Sequence, residues 1–428
     1  MSINEKKYEQ ALAFRPGTIR KLFPESGALI VSGKVIHAAM TKKRKSGKPA
    51  MTIAANGRNE WVIEGALRAA HRANAAIIVE IAKSECGYCP VNFTNIARIV
   101  NDCIVRNNLK VVVAVHADHY AVKNAEDLEK AKTEIPKMIE NGVTSVAIDA
   151  SHMAPHENVF ANIELAKLLP SWVSLETEVG EIKGKEGLST PEEALFHIKA
   201  LNAHSVFPVW IALNNGSVHG LEATGGNIDV DLTSRVHEAI SPYGVCGAQH
   251  GTSGNNYTKL RDIVGRTCTT KANVATALQM ISWGLKVNEF GNAELDAGKN
   301  LVKLPDQGVD EASWKKMVEV AGLKGWKTGD YKKLNKEVDS LLKAQPDFVQ
   351  KRMVKAVEDF IYTLLTDVFY AEGTGDLALD AILEAGSQDV KLFDTIVESS
   401  AVWTKEYIAR EGQILLDKQH ELEGNFDD

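Results

Sequence analysis

Cysteine is scarce: five among 428 residues, an odd number in a long chain, so no disulfide framework holds the fold together. Cys86-Gly87-Tyr88-Cys89 is a lone C-x-x-C. Without a second pair or a thioredoxin-like context, it reads as a local loop feature rather than a zinc or redox site. Long apolar runs are also missing. No stretch approaches a membrane span, and the start MSINEKKYEQ lacks the apolar centre of a signal peptide. A cytoplasmic protein with no membrane partner is expected. Positive charge is not in excess, since 49 Lys+Arg against 56 Asp+Glu leave a formal net charge of −7. That balance argues against a nucleic-acid partner, while a local basic patch could still hold a small phosphorylated ligand. Finally, no G-x-G-x-x-G follows the first apolar run, which counts against an open, doubly wound dinucleotide-binding sheet.

What the chain does have is a rhythm. With 44% apolar and 25% charged residues it has the composition of an ordinary globular protein. From residue 49 a short β-branched run alternates with an amphipathic stretch. The runs are Met51–Ala55, Ala76–Ile81, Val111–His116, Val143–Asp149, Trp172–Val179, Val206–Leu213, Val245–Gln249 and Lys271–Thr276. Between them, Asn124–Asn141 carries Leu128, Ala131, Ile135, Met138 and Ile139 on one helical face, with Gly142 as terminator and Pro136 as a kink. Eight such units predict a (β/α)8 barrel over residues 49–290, with its chemistry at the C-terminal ends of the strands.

Around the barrel the pattern changes. Residues 1–48 form an N-terminal extension whose run Lys42-Lys43-Arg44-Lys45 reads as a solvated loop. Residues 291–346 are Lys-rich and broken by glycines, as in an insertion or lid after the eighth strand. Residues 347–428 read as long helices. The stripe Phe348, Val354, Val357, Ile361, Leu364, Val368 must pack on the barrel or meet another subunit.

The strand ends are unusually polar. The third gives His116, Asp118 and His119; the fourth, Asp149-Ala150-Ser151-His152; the fifth, Glu176-Thr177-Glu178 before the loop Gly180–Gly187. The sixth gives Asn214-Asn215-Gly216-Ser217-Val218-His219-Gly220, the seventh His250-Gly251-Thr252-Ser253-Gly254, and the eighth Asn273-Val274-Ala275-Thr276. Imidazoles converging from the third, sixth and seventh strands make a zinc site with a position left for substrate. His116, His152 and His156 are expected to support it or lie at the surface. The Gly-rich loops beside two of those histidines offer backbone N–H groups to a phosphate, and barrels often bind phosphate after strands seven and eight.

In this order and spacing, His116-Ala117-Asp118-His119, Ala147-Ile148-Asp149-Ala150-Ser151-His152, Leu175-Glu176-Thr177-Glu178-Val179-Gly180, Val218-His219-Gly220, His250-Gly251-Thr252-Ser253-Gly254 and Asn273-Val274-Ala275-Thr276 resemble the class II, zinc-dependent ketose-bisphosphate aldolases, best known as fructose-bisphosphate aldolases. The likeness covers residues 49–290. It implies a lyase of glycolysis and gluconeogenesis that reversibly cleaves fructose 1,6-bisphosphate to dihydroxyacetone phosphate and glyceraldehyde 3-phosphate, with Zn2+ stabilising the enediolate. A homodimer or larger homo-oligomer is implied as well.

By the same resemblance His119, His219 and His250 match the zinc ligands. Asp149 and Glu178 match the carboxylates of a neighbouring position for a second divalent metal or a monovalent cation. Asp118 matches the acid/base at the substrate C4 oxygen, and Glu186 the base that acts on dihydroxyacetone phosphate. Gly220, Gly251, Ser253, Asn273 and Thr276 match the cradle for one phosphate. Asn56 and Ser84 match polar contacts to the substrate's other end, and Arg352 an arginine reaching a neighbouring subunit's second phosphate. The chain departs from the family at Ala275, where many fructose-bisphosphate aldolases carry an acidic residue or Asn. Asn-Val-Ala-Thr also occurs in tagatose-bisphosphate aldolases, so the preferred C4 configuration stays open. Two rivals are a Schiff-base aldolase, for which Lys83 and Lys271 are the nearby lysines, and a non-catalytic barrel subunit.

Overall fold

Each of the eight apolar runs becomes a strand. The structure, a computed structural model, describes residues 2–180, 187–216, 228–252, 255–288, 291–391 and 396–424, with side chains to residue 419. A short first strand, β1 (Leu29–Val31), precedes the eight. They are β2 (Thr52–Asn56), β3 (Ile77–Ala82), β4 (Val112–Ala121), β5 (Ser145–Asp149), β6 (Ser174–Val179), β7 (Trp210–Leu213), β8 (Cys246–Gln249) and β9 (Thr269–Val274). In all of the eight except β4 every residue is buried, as strands covered on both faces must be. All pairings are parallel, and β4 pairs with β5 to close β2–β9 into a (β/α)8 barrel.

The crossover helices form where the spacing predicts. Helix Ala125–Glu140 starts at Asn124, whose side chain accepts from Asp127 N, and it runs through Pro136. Helix Glu60–Ala73 is capped by Asn59 and ends at Asn74 in the left-handed region.

The N-terminal segment closes the base of the barrel. β1 pairs with Val112–Ala114 of β4, on the edge that β5 takes over from His116. Ser32 then caps helix Gly33–Lys45. A Cβ on Gly33 would stand 2.1 Å from Ser174 Oγ and 2.8 Å from Ser145 Oγ, at the first residues of β6 and β5. Deeper in, His37 meets Trp210 edge-on at 5.8 Å. Lys42–Lys45 proves to be the last turn of this helix, not a loop. Arg44 folds back to donate to the carbonyls of Val264 (3.0 Å) and Thr267, at the end of the helix before β9, and of Ala50 (3.2 Å), just before β2.

The C-terminal part wraps the same body. Helix Asp347–Thr363 lies on Glu60–Ala73 so closely that a Cβ on Gly65 would be 2.7 Å from Val357. Val354, Val357, Ile361, Leu364 and Val368 are buried there, whereas Phe348, at the start of the stripe, is 67% exposed. Residues 374–389 reach back to the N-terminus. Asp376 accepts from Asn4 N (2.8 Å), Asp380 pairs with Lys7 (2.6 Å), and Gln388 joins Ser32 N (2.8 Å) to Phe14 O (2.9 Å). The segment after β9 has its own apolar cluster, with Trp283, Trp314, Met317, Leu334 and Leu342 packed against Trp61, Val349 and Met353. No helix among the described residues is long and apolar enough to cross a membrane.

The close fit under Gly33 gives a stability test. Gly33→Ala is expected to lower stability by about 1–3 kcal/mol through overpacking at the base of the barrel. Thermal unfolding of the variant against the wild type measures it.

Candidate active site

Two adjacent residues of β4 face one cavity because the strand does not end at His116. It continues to Ala121 through a bulge: Ala117 pairs with Val146 and Tyr120 with Ile148, so β4 has one residue more than β5 across this step. The extra residue is taken up at His119, whose φ of +42° is a left-handed conformation rare for a residue with a Cβ. In a regular strand Asp118 and His119 would point to opposite faces. With the bulge both line the cavity.

That cavity, of about 770 Å3, opens at the C-terminal ends of the strands. Of the residues singled out from the sequence, Asn56, Ser84, Asp118, His119, Asp149, Glu178, His250, Gly251, Asn273 and Thr276 line it. Arg352 does not. It sits in helix Asp347–Thr363 and donates through Nε to Gly308 O (2.5 Å). Glu186, His219, Gly220 and Ser253 lie outside the described residues.

Two overlapping donor groups could each share an ion: Asp118, His119 and His250, and His119, Asp149 and Glu178. Within each, the donor atoms all lie within 4.8 Å of one another. The His119 and His250 ring centres are 4.3 Å apart. His119 Nδ1 is 2.9 Å from Glu178 Oε1 and 3.7 Å from Asp149 Oδ2. Burial pulls the His119 imidazole down, but Glu178, Asp118 and Asp149 outweigh it and hold it well above its ordinary value. Burial, then the charge of Asp149, pushes the Glu178 carboxyl up to about 8. Asp149 moves the other way, because His119 and the Ser151 hydrogen bonds overcome its burial. The three groups thus retain a proton where carboxylates and an imidazole crowd together, and a metal ion would supply positive charge in its place. The nitrogen and oxygen donors suit a divalent transition metal.

Below this layer lies a second polar one. Lys271, fully buried on β9, places Nζ 2.7 Å from Glu176, 3.0 Å from His116 Nε2, 3.5 Å from Glu80 and 3.7 Å from Asp118. Burial alone would lower the Lys271 pKa, but the three carboxylates raise it above the usual lysine value. Glu80 is held well above the carboxylate range, by burial first and Asp118 second. An ammonium facing His116 Nε2 makes that nitrogen the acceptor, so His116 is neutral and donates from Nδ1 to Ser145 Oγ (2.7 Å). Glu80, His116 and Asp118 could also be read as a metal group, but the ammonium already occupies the space between them.

The lower layer orients the upper one. Glu176 takes Lys271 on Oε2 and stands 3.2 Å from His250 Nε2 through Oε1. A proton on Nε2 makes Nδ1 the unprotonated nitrogen of His250, the carboxylate–histidine arrangement that supports metal ligation. Asn273 Nδ2 donates to Asp118 Oδ1 (2.8 Å) and holds that carboxylate in place. Among the described residues, Asn56 Oδ1 and Asn273 Oδ1 are buried acceptors with no protein donor. Substrate hydroxyls would fill that role. The alternation of His116 with Asp118, Glu176 with Glu178 and Lys271 with Asn273 is the signal that could have revealed two inward-facing layers. Arg58, Thr252 and Lys332 also line the cavity and were not singled out from the sequence.

Comparison with known proteins agrees with this geometry. The family described as Fructose-bisphosphate aldolase class-II matches residues 36–360, and the chain belongs to that family. A fructose-bisphosphate aldolase of Streptococcus pyogenes serotype M3 is 24% identical over 276 residues, covering 64% of this chain and 85% of that protein. One from Streptococcus pneumoniae serotype 4 is 25% identical over 225 residues, covering 52% and 71%. Among solved structures, the YdjI aldolase of Escherichia coli K12 superposes with a TM-score of 0.53 at 17% identity, covering 81% of this chain and all of that one. The Campylobacter jejuni fructose-bisphosphate aldolase gives 0.52 at 17% identity, covering 81% and 97%. These two support the fold.

Removing the buried ammonium should be costly. Lys271→Met leaves Glu176 and Asp118 facing each other without a counter-charge and is expected to lower stability by about 3–5 kcal/mol. Denaturant unfolding near neutral pH measures the loss.

Proposed function

We propose that this chain is a class II aldolase that cleaves fructose 1,6-bisphosphate reversibly to dihydroxyacetone phosphate and glyceraldehyde 3-phosphate. The observation that carries the reading is the β4 bulge, which sets the Asp118 carboxylate beside His119 in one cavity. His119 and His250 with His219 would hold Zn2+, which when bound supplies Lewis-acid stabilisation of charge developing on the C2 carbonyl oxygen. Asp149 and Glu178 would support that position or hold a second cation.

The chain's own residues do the rest. Asp118, fixed by Asn273, takes the proton of the C4 hydroxyl as the C3–C4 bond breaks. The aldehyde leaves and the electron pair remains on the C2–C3 fragment, to which Glu186 returns a proton at C3. Gly251, in the left-handed region at φ +61°, turns the chain after β8 so that it borders the cavity as one side of a phosphate cradle. Gly220, Ser253, Asn273 and Thr276 complete it. Asn56 and Ser84 contact the other end of the sugar.

A second reading, tagatose 1,6-bisphosphate as substrate, is left open by Ala275. It lines the cavity and offers no side-chain hydrogen bond to a C4 oxygen of either configuration. Covalent Schiff-base chemistry is disfavoured, since a lysine held cationic as Lys271 is cannot act as a nucleophile. Borohydride reduction with substrate should leave the protein unlabelled. We take the active form to be a cytoplasmic homo-oligomer.

Three outcomes are expected. Chelation abolishes cleavage and Zn2+ restores it; full activity in metal-free protein would sink the reading. Asp118→Ala lowers kcat by roughly 10²–10⁴-fold while retaining metal, read by parallel turnover and metal analysis on both bisphosphates. Burial and Asp149 push the Glu178 carboxyl up to about 8, and the surrounding carboxylates hold the His119 imidazole well above its ordinary value, so protons leave this cluster when metal binds. Metal affinity should therefore rise with pH through the range below about 8. Calorimetry in buffers of different ionisation enthalpy counts the released protons.

A further inference from the structure

Two cysteines meet at the base of the barrel, at the end of the strands opposite the cavity. Cys246 opens β8, and Cys268 immediately precedes β9. The residues that follow them, Gly247 and Thr269, are register partners, and Gly247 N donates to Cys268 O (3.0 Å). Neighbouring strands lie roughly 4.8 Å apart, inside the Cα separation of about 4.4–6.8 Å that a disulfide spans. The thiols already touch, with Sγ 2.8 Å from Sγ. Among the described residues they are the one pair of cysteines in contact. The strands also slip register at this point. Gly247 pairs with Thr269 but Ala248 with Lys271, so β9 carries one residue more across the step. Lys271, whose ammonium gathers Glu176 and Asp118, follows directly.

The surroundings of the pair set it apart from the other three cysteines. Burial pushes the thiols of Cys86, Cys89 and Cys103 up, and a thiol that keeps its proton is a poor nucleophile. Cys268 moves the other way. The hydrogen bond from Cys246 and the charge of Arg44 outweigh its burial and hold it below the ordinary thiol value. Cys246, which keeps the shared proton, is pushed well above that value by the same hydrogen bond and by burial. Arg44 is fixed beside them, since it donates to Val264 O (3.0 Å), to Thr267 O before Cys268 and to Thr269 O after it (3.5 Å). Cys246 is 4% exposed, whereas Cys268 is only partly covered. A small oxidant therefore meets Cys268 first, with a second thiol waiting behind it.

We propose that Cys246 and Cys268 are a reversible oxidation site for hydroperoxides, closing to a disulfide that ties β8 to β9 beside their register step. The Cys268 thiolate attacks the peroxide oxygen. An S–O bond forms, the O–O bond breaks, and the displaced oxide takes a proton and leaves as water or an alcohol. Cys246 then loses its proton and attacks the Cys268 sulfenic sulfur. The S–S bond forms, the S–O bond breaks, and hydroxide leaves with that proton as water. The two thiols have given up two electrons, and the peroxide has taken them. A thiol reductant reverses the closure by exchange. The site stands independently of the aldolase reading.

The test treats the full-length protein with an equivalent of hydrogen peroxide, alkylates the remaining thiols after denaturation and analyses the peptides by mass. A linked peptide pair joining Cys246 to Cys268, two hydrogens lighter than the reduced pair and released by dithiothreitol, is expected. Cys268 should be lost at least about tenfold faster than Cys86, Cys89 or Cys103, because the thiolate is the reacting form. Cys246→Ser should stop at the Cys268 sulfenic acid, trapped by dimedone, and Cys268→Ser should leave Cys246 unoxidised. The thermal midpoint of the linked wild type should exceed that of the reduced protein by roughly 2–5 °C, as closure of a short loop predicts. Equal rates at all five thiols, or Cys268 carried on to its sulfinic acid without a link, would overturn the oxidation site. A midpoint unchanged or lowered in fully linked protein would overturn the tie between the strands.

Discussion

Lys271 puts a full positive charge into the centre of a barrel, a place normally filled by branched aliphatic side chains. Moving an ammonium out of water costs several kcal/mol, so it persists only where carboxylates reach it. They come from three other strands: Glu80 from β3, Asp118 from β4 and Glu176 from β6. The upper half of the site inherits its order from this one charge. Glu176 can orient His250 because Lys271 fixes its other oxygen, and Asp118 stands between Lys271 below and Asn273 beside it. Whatever fills the cavity meets groups already held in place, and such preorganisation is what electrostatic catalysis requires.

The His119 bulge complements this arrangement. A left-handed residue with a Cβ stores roughly 1–3 kcal/mol of strain. Here the strain brings an imidazole and a carboxylate that are neighbours in sequence to the same side of the strand. Glu178 and Asp149 grip the ring from β6 and β5, so the strained residue is held from two further strands.

The barrel was legible because parallel strands buried on both faces leave a simple trace, short β-branched runs separated by amphipathic stretches. All eight runs became strands, and the polar ends of the third, fourth, fifth, seventh and eighth contribute to one cavity, while most of the sixth lies outside the described residues. The β4 end was less legible. An apolar run stopping at Val115 says nothing of a strand that continues in polar residues, because a bulge has no hydrophobic period. Lys271 was visible only as a nearby lysine, since its partners lie up to 191 positions away, at Glu80, and pairing across a barrel leaves no local pattern. Arg44 misled for a related reason: four basic residues in a row look solvated, yet one of them serves buried carbonyls. The turn bearing Lys332 lies outside the repeating units, where periodicity has no purchase.

The hydrogen bonds between residues 374–389 and the first 34 residues bear on how the chain is made. The helix that closes the barrel's base is among the first parts to leave the ribosome, yet Gln388 and Asp389, which clasp Ser32 and Lys34, emerge more than 350 residues later. At roughly 5–20 residues per second, that interval lasts tens of seconds. Until β9 (Thr269–Val274) has emerged, the apolar face of Leu29–Met40 has no finished barrel to cover it, and the latch at residues 388 and 389 follows more than 100 residues later. Such long-range closure slows folding and leaves sticky surface on the nascent chain. During synthesis the N-terminal helix is therefore the segment most exposed to chaperone capture, and a truncation that removes residues 374–389 would leave the base of the barrel unlatched.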